Sequence, residues 1–442
     1  MSKANQSRKE VRLSQVMIVK NEERHIERAL EWAKDIAFEQ IVVDTGSTDR
    51  TVELAEKMGA VVHHFEWIND FGAAKNFAMN KAKGNWIAIL DADEYMPRED
   101  ANELMSILKK IQSNPAEANQ YDGVQNSWVQ LDDNNNVTST LTNIRVFRNS
   151  PELRYEGKIH EAVRIRNKVY DALNLRIMHT GYAASVYKET NKKERNLELL
   201  RSEHERDPEN PDIMIYLADS LKAESTPQTR QEAEELYLKA LSGERKGDKD
   251  VKQLAYDFLI PRFTGDKRIE DGKTDLDMAM KLCNAATLEL PGHIDYFYYR
   301  GIINNTRKNY KEALDDLLIC EKAFITGTTL PKTRVLFPSP MPLFYYLKAA
   351  AKGVGDQEAL VRGSTILHSM LSEFKGETEI IGSFIKSLLL LGVSENDVLD
   401  ELAEAYNLND PRDLLFIAKA SKEAGAIGFT RKIMDIASKV ME

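Results

Sequence analysis

The chain has 442 residues, 42% of them hydrophobic and 29% charged, so it is long enough for two or three domains with buried cores. The net charge of −10 argues against general nucleic-acid binding, which requires a basic surface. The two cysteines, Cys283 and Cys320, fall in helical patterns, which excludes a disulfide framework.

The N-terminal segment 1–12 is polar and lacks the apolar core of a signal peptide. No apolar run along the chain reaches the roughly 20 residues that span a bilayer. Together with the unpaired cysteines, these features predict a cytoplasmic protein without a transmembrane segment.

The first half of the chain alternates short apolar runs with amphipathic stretches. This alternation predicts a mainly parallel sheet with helices on both faces, in which ligands bind at the carboxyl ends of the strands. The predicted strands are 15–19, 40–43, 61–65 and 86–90. The predicted helices are 22–34, 51–58, 71–83 and 98–113.

The pattern changes after residue 113. Segments 123–131 and 137–147 read as strands on either side of a polar turn at 132–136, which predicts a hairpin added to the sheet. A further short strand is expected within 161–166. The whole α/β domain is expected to occupy residues 1–190.

Helical periodicity then continues from residue 191 to the end, interrupted by prolines. Two stretches predict helix pairs: 211–224 with 230–242, and 293–306 with 310–324. In the second pair, Gly301 and Ala313 are small residues of the kind that let paired helices approach closely. The pattern is similar to tetratricopeptide repeats, although without a strict 34-residue register. We expect a second, all-helical domain at 191–442.

An acidic turn follows the apolar run 86–90, with carboxylates at Asp91 and Asp93. Clustered carboxylates repel one another unless a cation joins them, and oxygen ligands favour Mg²⁺ or Mn²⁺. Such a cation could stabilise a departing diphosphate. The alternative is an acidic loop that only caps the helix after Pro97.

Polar residues also follow the other predicted strands. Asn21 and Glu22 come after the first strand, and Asp44 ends the second, just before a turn at Gly46. Asp70, Lys75 and Asn76 open the predicted helix at 71–83. Taken one at a time, these residues are equally well explained as helix caps and ordinary loops.

The order of these motifs resembles family 2 glycosyltransferases of the GT-A fold, and the resemblance covers roughly residues 12–185. It implies a UDP- or other nucleotide-activated sugar donor and, as is usual in the family, inversion at the anomeric carbon. It also implies that Asp93 is the main metal ligand, assisted by Asp91. Many family members have arginine at the position of Lys75, which weakens the role implied for that residue. The residues implied to contact the nucleotide sugar are Asn21, Glu22, Asp44, Asp70, Lys75, Asn76, Asp91 and Ala92.

Two later segments extend the resemblance. The run 157–161 looks like a Gly-Lys-x-His-Glu motif, which implies Glu161 as the general base, with His160 orienting the acceptor or acting as the rival base. His179 comes where the catalytic domain should end and is implied as a further metal or diphosphate ligand. For all three residues, a purely structural role is the alternative.

The combination of domains is similar to the peptide S-glycosyltransferases of glycosylated bacteriocins. This resemblance implies transfer of glucose or N-acetylglucosamine from a UDP-sugar to a peptide or protein acceptor. A cell-surface glycan or lipid-linked acceptor is the alternative. From another class, the chain could be a helical binding scaffold with an inactive transferase domain, and a homodimer through the helical domain is left open. A nicotinamide-dependent oxidoreductase is disfavoured because no Gly-x-Gly-x-x-Gly follows the first strand.

Overall fold

The computed structural model divides the chain into two compact units, Met1–Pro208 and Glu209–Glu442. The predicted domain boundary between residues 190 and 191 lies outside the described residues and stays a prediction. The structure describes residues 10–114, 120–180, 192–223, 226–265, 274–327, 340–390 and 392–442.

The first unit is built on a mixed sheet. Its strands are β1 (Leu13–Val19), β2 (Glu39–Asp44), β3 (Val61–His64), β4 (Trp86–Ile89), β5 (Glu94–Tyr95), β6 (Tyr121–Leu131), β7 (Val137–Arg148) and β10 (Lys168–His179). Among the described residues their order is β3-β2-β1-β4-β7-β6-β10-β5. Strands β1 to β4 pair in parallel, so their carboxyl ends meet at one edge of the sheet. A separate antiparallel pair is formed by β8 (Tyr155–Glu156) and β9 (Ala162–Val163).

The predicted α/β order and the predicted hairpin are confirmed, since β6 and β7 pair antiparallel. Two features differ from the prediction. The strand expected within 161–166 is reduced to β9 and pairs with β8 outside the main sheet. Strand β10 was not predicted, because a register shift between Ala172 and Arg176 interrupts its alternation of apolar and polar residues.

Helices cover both faces of the sheet and fix the end of β4. On one face, Trp86 and Ala88 share a core cluster with Leu104 of the helix Arg98–Ser113 (α4). On the other, Ile87 and Ile89 share a core cluster with residues of the helix Phe71–Lys81 (α3). The acidic turn that follows β4 is therefore held at a well-defined place. The helices of this unit are α1 (Ile26–Glu31), α2 (Thr51–Lys57), α3 (Phe71–Lys81), α4 (Arg98–Ser113) and α5 (Lys192–Arg206).

The amino end of α3 lies directly against the loop between β8 and β9. The backbone N–H of Phe71 donates to the carbonyl of Lys158 at 2.8 Å. A Cβ added at Gly72 would lie only 2.3 Å from the carbonyl oxygen of Gly157, which itself has a φ of +94°. Glycine at position 72 is therefore required for this loop to approach the helix.

The second unit is helical throughout its described residues. The two predicted helix pairs are confirmed, with slightly different ends. The first consists of α6 (Pro211–Lys222) and α7 (Pro227–Ser242), and the second of α10 (Ile294–Thr306) and α11 (Tyr310–Thr326). Gly301 of α10 faces Leu317 of α11 so closely that an added Cβ would lie 2.8 Å from its Cγ. The helices are α6 (Pro211–Lys222), α7 (Pro227–Ser242), α8 (Lys249–Phe263), α9 (Leu276–Glu289), α10 (Ile294–Thr306), α11 (Tyr310–Thr326), α12 (Met341–Val354), α13 (Gln357–Glu373), α14 (Thr378–Leu390), α15 (Glu395–Ala403), α16 (Pro411–Glu423) and α17 (Ile427–Met441).

Two features are relevant to the cellular location of the protein: its cysteines and the hydropathy of its helices. Cys283 and Cys320 are free and buried in this helical unit, and burial raises the pKa of both thiols. In the part of the chain that the structure describes, no helix is both long enough and apolar enough to cross a membrane. The cytoplasmic location stays a prediction.

The close approach at Gly72 can be tested with a matched pair of helix positions. We expect Gly72→Ala to destabilise the protein by about 1–3 kcal/mol, because the added methyl group clashes with the backbone of Gly157. Gly428 is likewise the second residue of its helix, but an added Cβ there meets only the Glu395 carboxylate, at 3.4 Å. Thermal unfolding should show a lower Tm for Gly72→Ala and an unchanged or slightly raised Tm for Gly428→Ala. Equal Tm values for the two variants would contradict the assigned contact.

Candidate active site

Lys75 occupies the centre of the candidate site. Its side chain is buried on α3, and its Nζ lies 2.7 Å from Oε1 of Glu161 and 3.3 Å from Oδ1 of Asp91. Burial alone would lower the pKa of Lys75, but the carboxylates of Asp91 and Glu161 outweigh this effect and raise it. Lys75 therefore stays charged and links the turn after β4 to the loop before β9.

Arg145 of β7 is a second buried cation at this place. Its Nη2 lies 3.0 Å from Oδ2 of Asp91 and 2.5 Å from Oε1 of Glu94. Glu94 also accepts the backbone N–H of Asp91 through Oε2 at 3.0 Å. Burial would raise the pKa of Asp91, but Lys75 and Arg145 hold it well below its usual range. The turn is thus held in shape by its own ion pairs.

Neither Arg145 nor Glu94 was predicted as a site residue. The sequence around each of them nevertheless contains a feature that points to the site. Glu94 continues the acidic run after β4, and Arg145 stands in the apolar end of a predicted strand, next to Val146. The antiparallel register, with Ala88 opposite Val146, places Arg145 beside the end of β4, and sequence spacing alone does not reveal that register.

Asp93 and His179 form the other part of the site. The Nε2 of His179 lies 3.5 Å from Oδ2 of Asp93, and its Nδ1 lies 2.6 Å from Oε1 of Gln130 on the neighbouring strand. The Trp128 ring packs on the imidazole, with 4.8 Å between the ring centroids. When Gln130 accepts the proton on Nδ1, the lone pair of Nε2 points towards the Asp93 carboxylate.

The arrangement of Asp93 and His179 bears on the binding of a divalent cation. Within the described residues, no three His, Cys, Asp or Glu side chains are placed closely enough to hold a metal ion. Asp93 and His179 nevertheless present an oxygen and a nitrogen donor to each other, which suits a cation between them. Carboxylates also outnumber the lysine and arginine side chains of the cluster: Asp91, Asp93, Glu94 and Glu161 against Lys75 and Arg145.

Two predicted nucleotide contacts, Asn21 and Glu22, lie in a loop that interlocks with the loop after β2. Asn21 has a φ of +58°, its N–H donates to Oγ of Ser47, and its Oδ1 accepts from the N–H of Thr48 at 2.8 Å. The backbone N–H of Glu22 donates to Oγ1 of Thr51 at 2.7 Å. These bonds fix the shape of both loops at the carboxyl edge of the sheet.

Asp44 is the last residue of β2 and is only 5% exposed. Its carboxylate accepts the N–H groups of Gly46 and Ser47 at 3.2 and 3.0 Å and lies 3.3 Å from Nδ1 of His64. Burial opposes its charge, but the hydrogen bonds from Ser47 and Gly46 lower the pKa of Asp44 overall. The group is therefore an ionised acceptor at the sheet edge.

Three further predicted residues have well-defined structural contacts. Asp70 caps α3 by accepting the N–H of Ala73 at 2.7 Å. The Asn76 amide exchanges two hydrogen bonds with the backbone of Tyr155, at 2.8 and 2.9 Å. Ala92 is buried in a core cluster beneath the turn. Their predicted contacts with a nucleotide sugar stay predictions.

His160 precedes Glu161 and is exposed, with a φ of +51°. The structure therefore brings Lys75, Asp91 and Glu161 into direct contact and sets Asp93 against His179. Asn21, Glu22 and Asp44 lie in the neighbouring loops of the same sheet edge rather than in this charged cluster. We use the term charged cluster for Lys75, Asp91, Asp93, Glu94, Arg145, Glu161 and His179.

The first part of the chain is similar to known sequences. Residues 14–164 match the family described as Glycosyl transferase family 2. A TPR repeat-containing protein of Synechococcus elongatus is 36% identical over 151 residues, covering 34% of this chain and 35% of the relative. The prophage-derived glycosyltransferase SunS of Bacillus subtilis is 25% identical over 292 residues, covering 65% of this chain and 61% of the relative. The alignments thus span about a third and three fifths of these two relatives.

Among solved structures, the chain is similar to S. aureus TarS 1–349 in complex with UDP-GlcNAc. The identity is 13%, the TM-score is 0.34, and the match covers 72% of this chain and 92% of the other. The predicted GT-A domain is confirmed by the family match of residues 14–164 together with the observed order of sheet and helices.

The structural role of Arg145 gives a stability prediction. We expect Arg145→Gln to cost about 3 kcal/mol at neutral pH, because it leaves the fully buried Glu94 carboxylate without its cation. Burial raises the pKa of Glu94, and loss of Arg145 should raise it further. The destabilisation should therefore shrink as the pH falls towards 4.5, the ordinary glutamate value, since protonated Glu94 needs no cation.

Chemical denaturation at several pH values measures this effect. Arg148→Gln is the control in the same strand, because the Arg148 guanidinium bonds to the carbonyl of Tyr121 rather than to a carboxylate. Adding Glu94→Gln to Arg145→Gln should recover stability and remove the pH dependence. A pH-independent loss in Arg145→Gln would show that Glu94 does not depend on Arg145.

Proposed function

We propose that the chain, whose residues 14–164 form a family 2 glycosyl transferase domain, transfers glucose or N-acetylglucosamine from a UDP-sugar with inversion at the anomeric carbon. The observation that carries the proposal is that one buried lysine contacts both the acidic turn after β4 and the loop between β8 and β9. Lys75 holds the Asp91 turn on one side and Glu161 on the other. Donor-side and acceptor-side carboxylates are thereby brought into one site.

The donor side is supported by the loops at the carboxyl ends of β1, β2 and β4. Ligands of open α/β sheets bind at this edge. Asp44 is ionised and fixed by backbone N–H groups, as a carboxylate that accepts hydrogen bonds from a nucleotide must be. The interlocked loops of Asn21 and Ser47 hold this surface in place before any donor arrives.

Asp93 and His179 are the proposed ligands of Mg²⁺ or Mn²⁺, with Asp91 as the assisting carboxylate. When bound there, such a cation would neutralise the negative charge that develops on the departing UDP. Lys75 and Arg145 already supply two fixed positive charges to the same place, because both are paired with Asp91. Their charge would act on the diphosphate in the same direction.

On the acceptor side, Glu161 is the proposed base. It takes a proton from the acceptor nucleophile while the new bond to the anomeric carbon forms and the bond to UDP oxygen breaks. Its side chain is mostly buried and is aligned by Lys75. His160 is the rival base, and it is exposed directly before Glu161 in the same loop.

The proposed acceptor is a peptide or protein, and a cell-surface glycan or lipid-linked sugar is the alternative. Arrays of helix pairs present extended surfaces that suit peptide binding, and the second unit contains such pairs. An inactive scaffold is disfavoured by the intact acidic run of Asp91 and Asp93 at the end of β4. Dimerisation through the helical unit is compatible with either acceptor.

Donor binding can be tested without knowing the acceptor. We expect UDP-GlcNAc or UDP-glucose to raise the Tm of the protein when Mn²⁺ is present, because a ligand that binds only the folded state stabilises it. At 100 times its Kd, the donor should contribute about 2.7 kcal/mol. Asp93→Ala should lose the metal-dependent part of the shift, whereas Asp435→Ala, an exposed change on α17, should keep it. No shift with any nucleotide sugar would count against a transferase.

The base assignment predicts a separation of binding from turnover. We expect Glu161→Gln to lower kcat for UDP release from the donor by about 10²–10⁴-fold, because the base is lost while the charge on Lys75 remains. Donor-induced stabilisation should persist. Glu156→Gln changes an exposed glutamate at the end of β8, just before this loop, and should retain activity. If His160→Ala abolished turnover and Glu161→Gln did not, the roles would have to be exchanged.

A further inference from the structure

Helix α5 belongs to the first unit, although it lies beyond the residues that match the transferase family. It spans Lys192–Arg206, whereas the family match ends at residue 164. Its contacts with the loop between β8 and β9 show that it is more than a link to the helical unit.

The first contact is an ion pair that reaches into the protein interior. The carboxylate of Glu203 is 2% exposed and its Oε1 lies 2.9 Å from Nζ of Lys158. Arg206, one turn further along α5, pairs with the other oxygen of Glu203. A carboxylate this deeply buried requires cationic partners, so Lys158 is held firmly against α5.

The second contact is made about two turns earlier in the helix. The guanidinium of Arg195 lies 5.2 Å from the centre of the Phe71 ring, which also packs edge-on against Trp67. The backbone N–H of Phe71 donates to the carbonyl of Lys158. Helix α5 thus touches both sides of the junction where the loop meets the amino end of α3.

This junction is connected to Glu161 in two ways, through the backbone of the loop and through helix α3. Lys158 lies three residues before Glu161 in the same short loop. Phe71 lies one helical turn before Lys75, whose ammonium group binds the Glu161 carboxylate at 2.7 Å. The close packing of Gly72 on Gly157 leaves this junction little room to shift.

We infer that α5 is a working part of the transferase site and that Glu203 is a positioning residue, which acts through Lys158 to hold the Glu161 loop in its productive place. The inference rests on the proposed function, because it assigns the position of the proposed base. It extends the catalytic unit to residues that the family match does not include. A small displacement of a catalytic group lowers the rate steeply, by up to about 10²-fold for 1 Å.

The test uses the full-length chain with UDP-GlcNAc and UDP-glucose in the presence of Mn²⁺, and follows UDP release to water. We expect Glu203→Gln to lower kcat at least about tenfold while the KM for the donor and the donor-induced rise in Tm stay near wild type.

A matched control separates positioning from general loss of stability. Glu321→Gln removes an equally buried glutamate, 2.9 Å from Arg362, in the helical unit. Both variants should lower the Tm to a similar degree, but Glu321→Gln should keep the wild-type kcat. If Glu203→Gln does not fold, Glu203→Asp provides the same comparison. This variant keeps the charge and shortens the side chain by one methylene group, so we expect a smaller loss of kcat.

The outcomes are distinguishable. A folded Glu203→Gln or Glu203→Asp variant with wild-type kcat would overturn the positioning role and leave the transferase assignment intact. Loss of donor stabilisation in parallel with kcat would also overturn it, because the effect would then not be specific to the loop of Glu161. A wild-type protein that neither binds nor turns over either donor would overturn both the proposed function and this inference.

Discussion

The site depends on a buried ammonium group placed between two carboxylates. Lys75 is inside the protein, and its charge is acceptable there only because Asp91 and Glu161 lie within 3.3 and 2.7 Å. The same constraint acts on the carboxylates, which would repel each other without the lysine. Each group therefore fixes the others, and the β4 turn and the β8–β9 loop cannot move independently. The docking of Gly72 on Gly157 and the arginine clamp at Asp91 both serve this arrangement.

Much of the fold could be predicted from the sequence, because strands β1 to β4 are short apolar runs that end in polar residues. Their parallel pairing then required Asp44 and Asp91 to share one edge of the sheet, and the structure places them there. Strand β10 could not be predicted in the same way. Its register shift near Ala172 breaks the alternation on which strand recognition depends.

The charged cluster was predictable only in part. Local motifs singled out Lys75, Asp91 and Glu161 one by one. Their mutual contacts depend on the path of the chain after β7, which brings the loop between β8 and β9 to Lys75. Arg145 shows the limit most clearly. It lies 54 residues from Asp91, and only the antiparallel register of β7 against β4 reveals that the two meet. Glu203 lies further still along the chain and beyond the family match, where no local motif marks it.

Lys75 and Arg145 carry the same charge but have different roles in the site. An ammonium group is a compact point charge that can face two carboxylates from opposite sides, whereas a guanidinium fork favours one carboxylate in a planar pair. Here the fork is supplied by Arg145, which joins Asp91 to Glu94 from a different strand. The two kinds of cation are therefore not interchangeable in this site. Lys75 connects two chain segments, and Arg145 stiffens one of them.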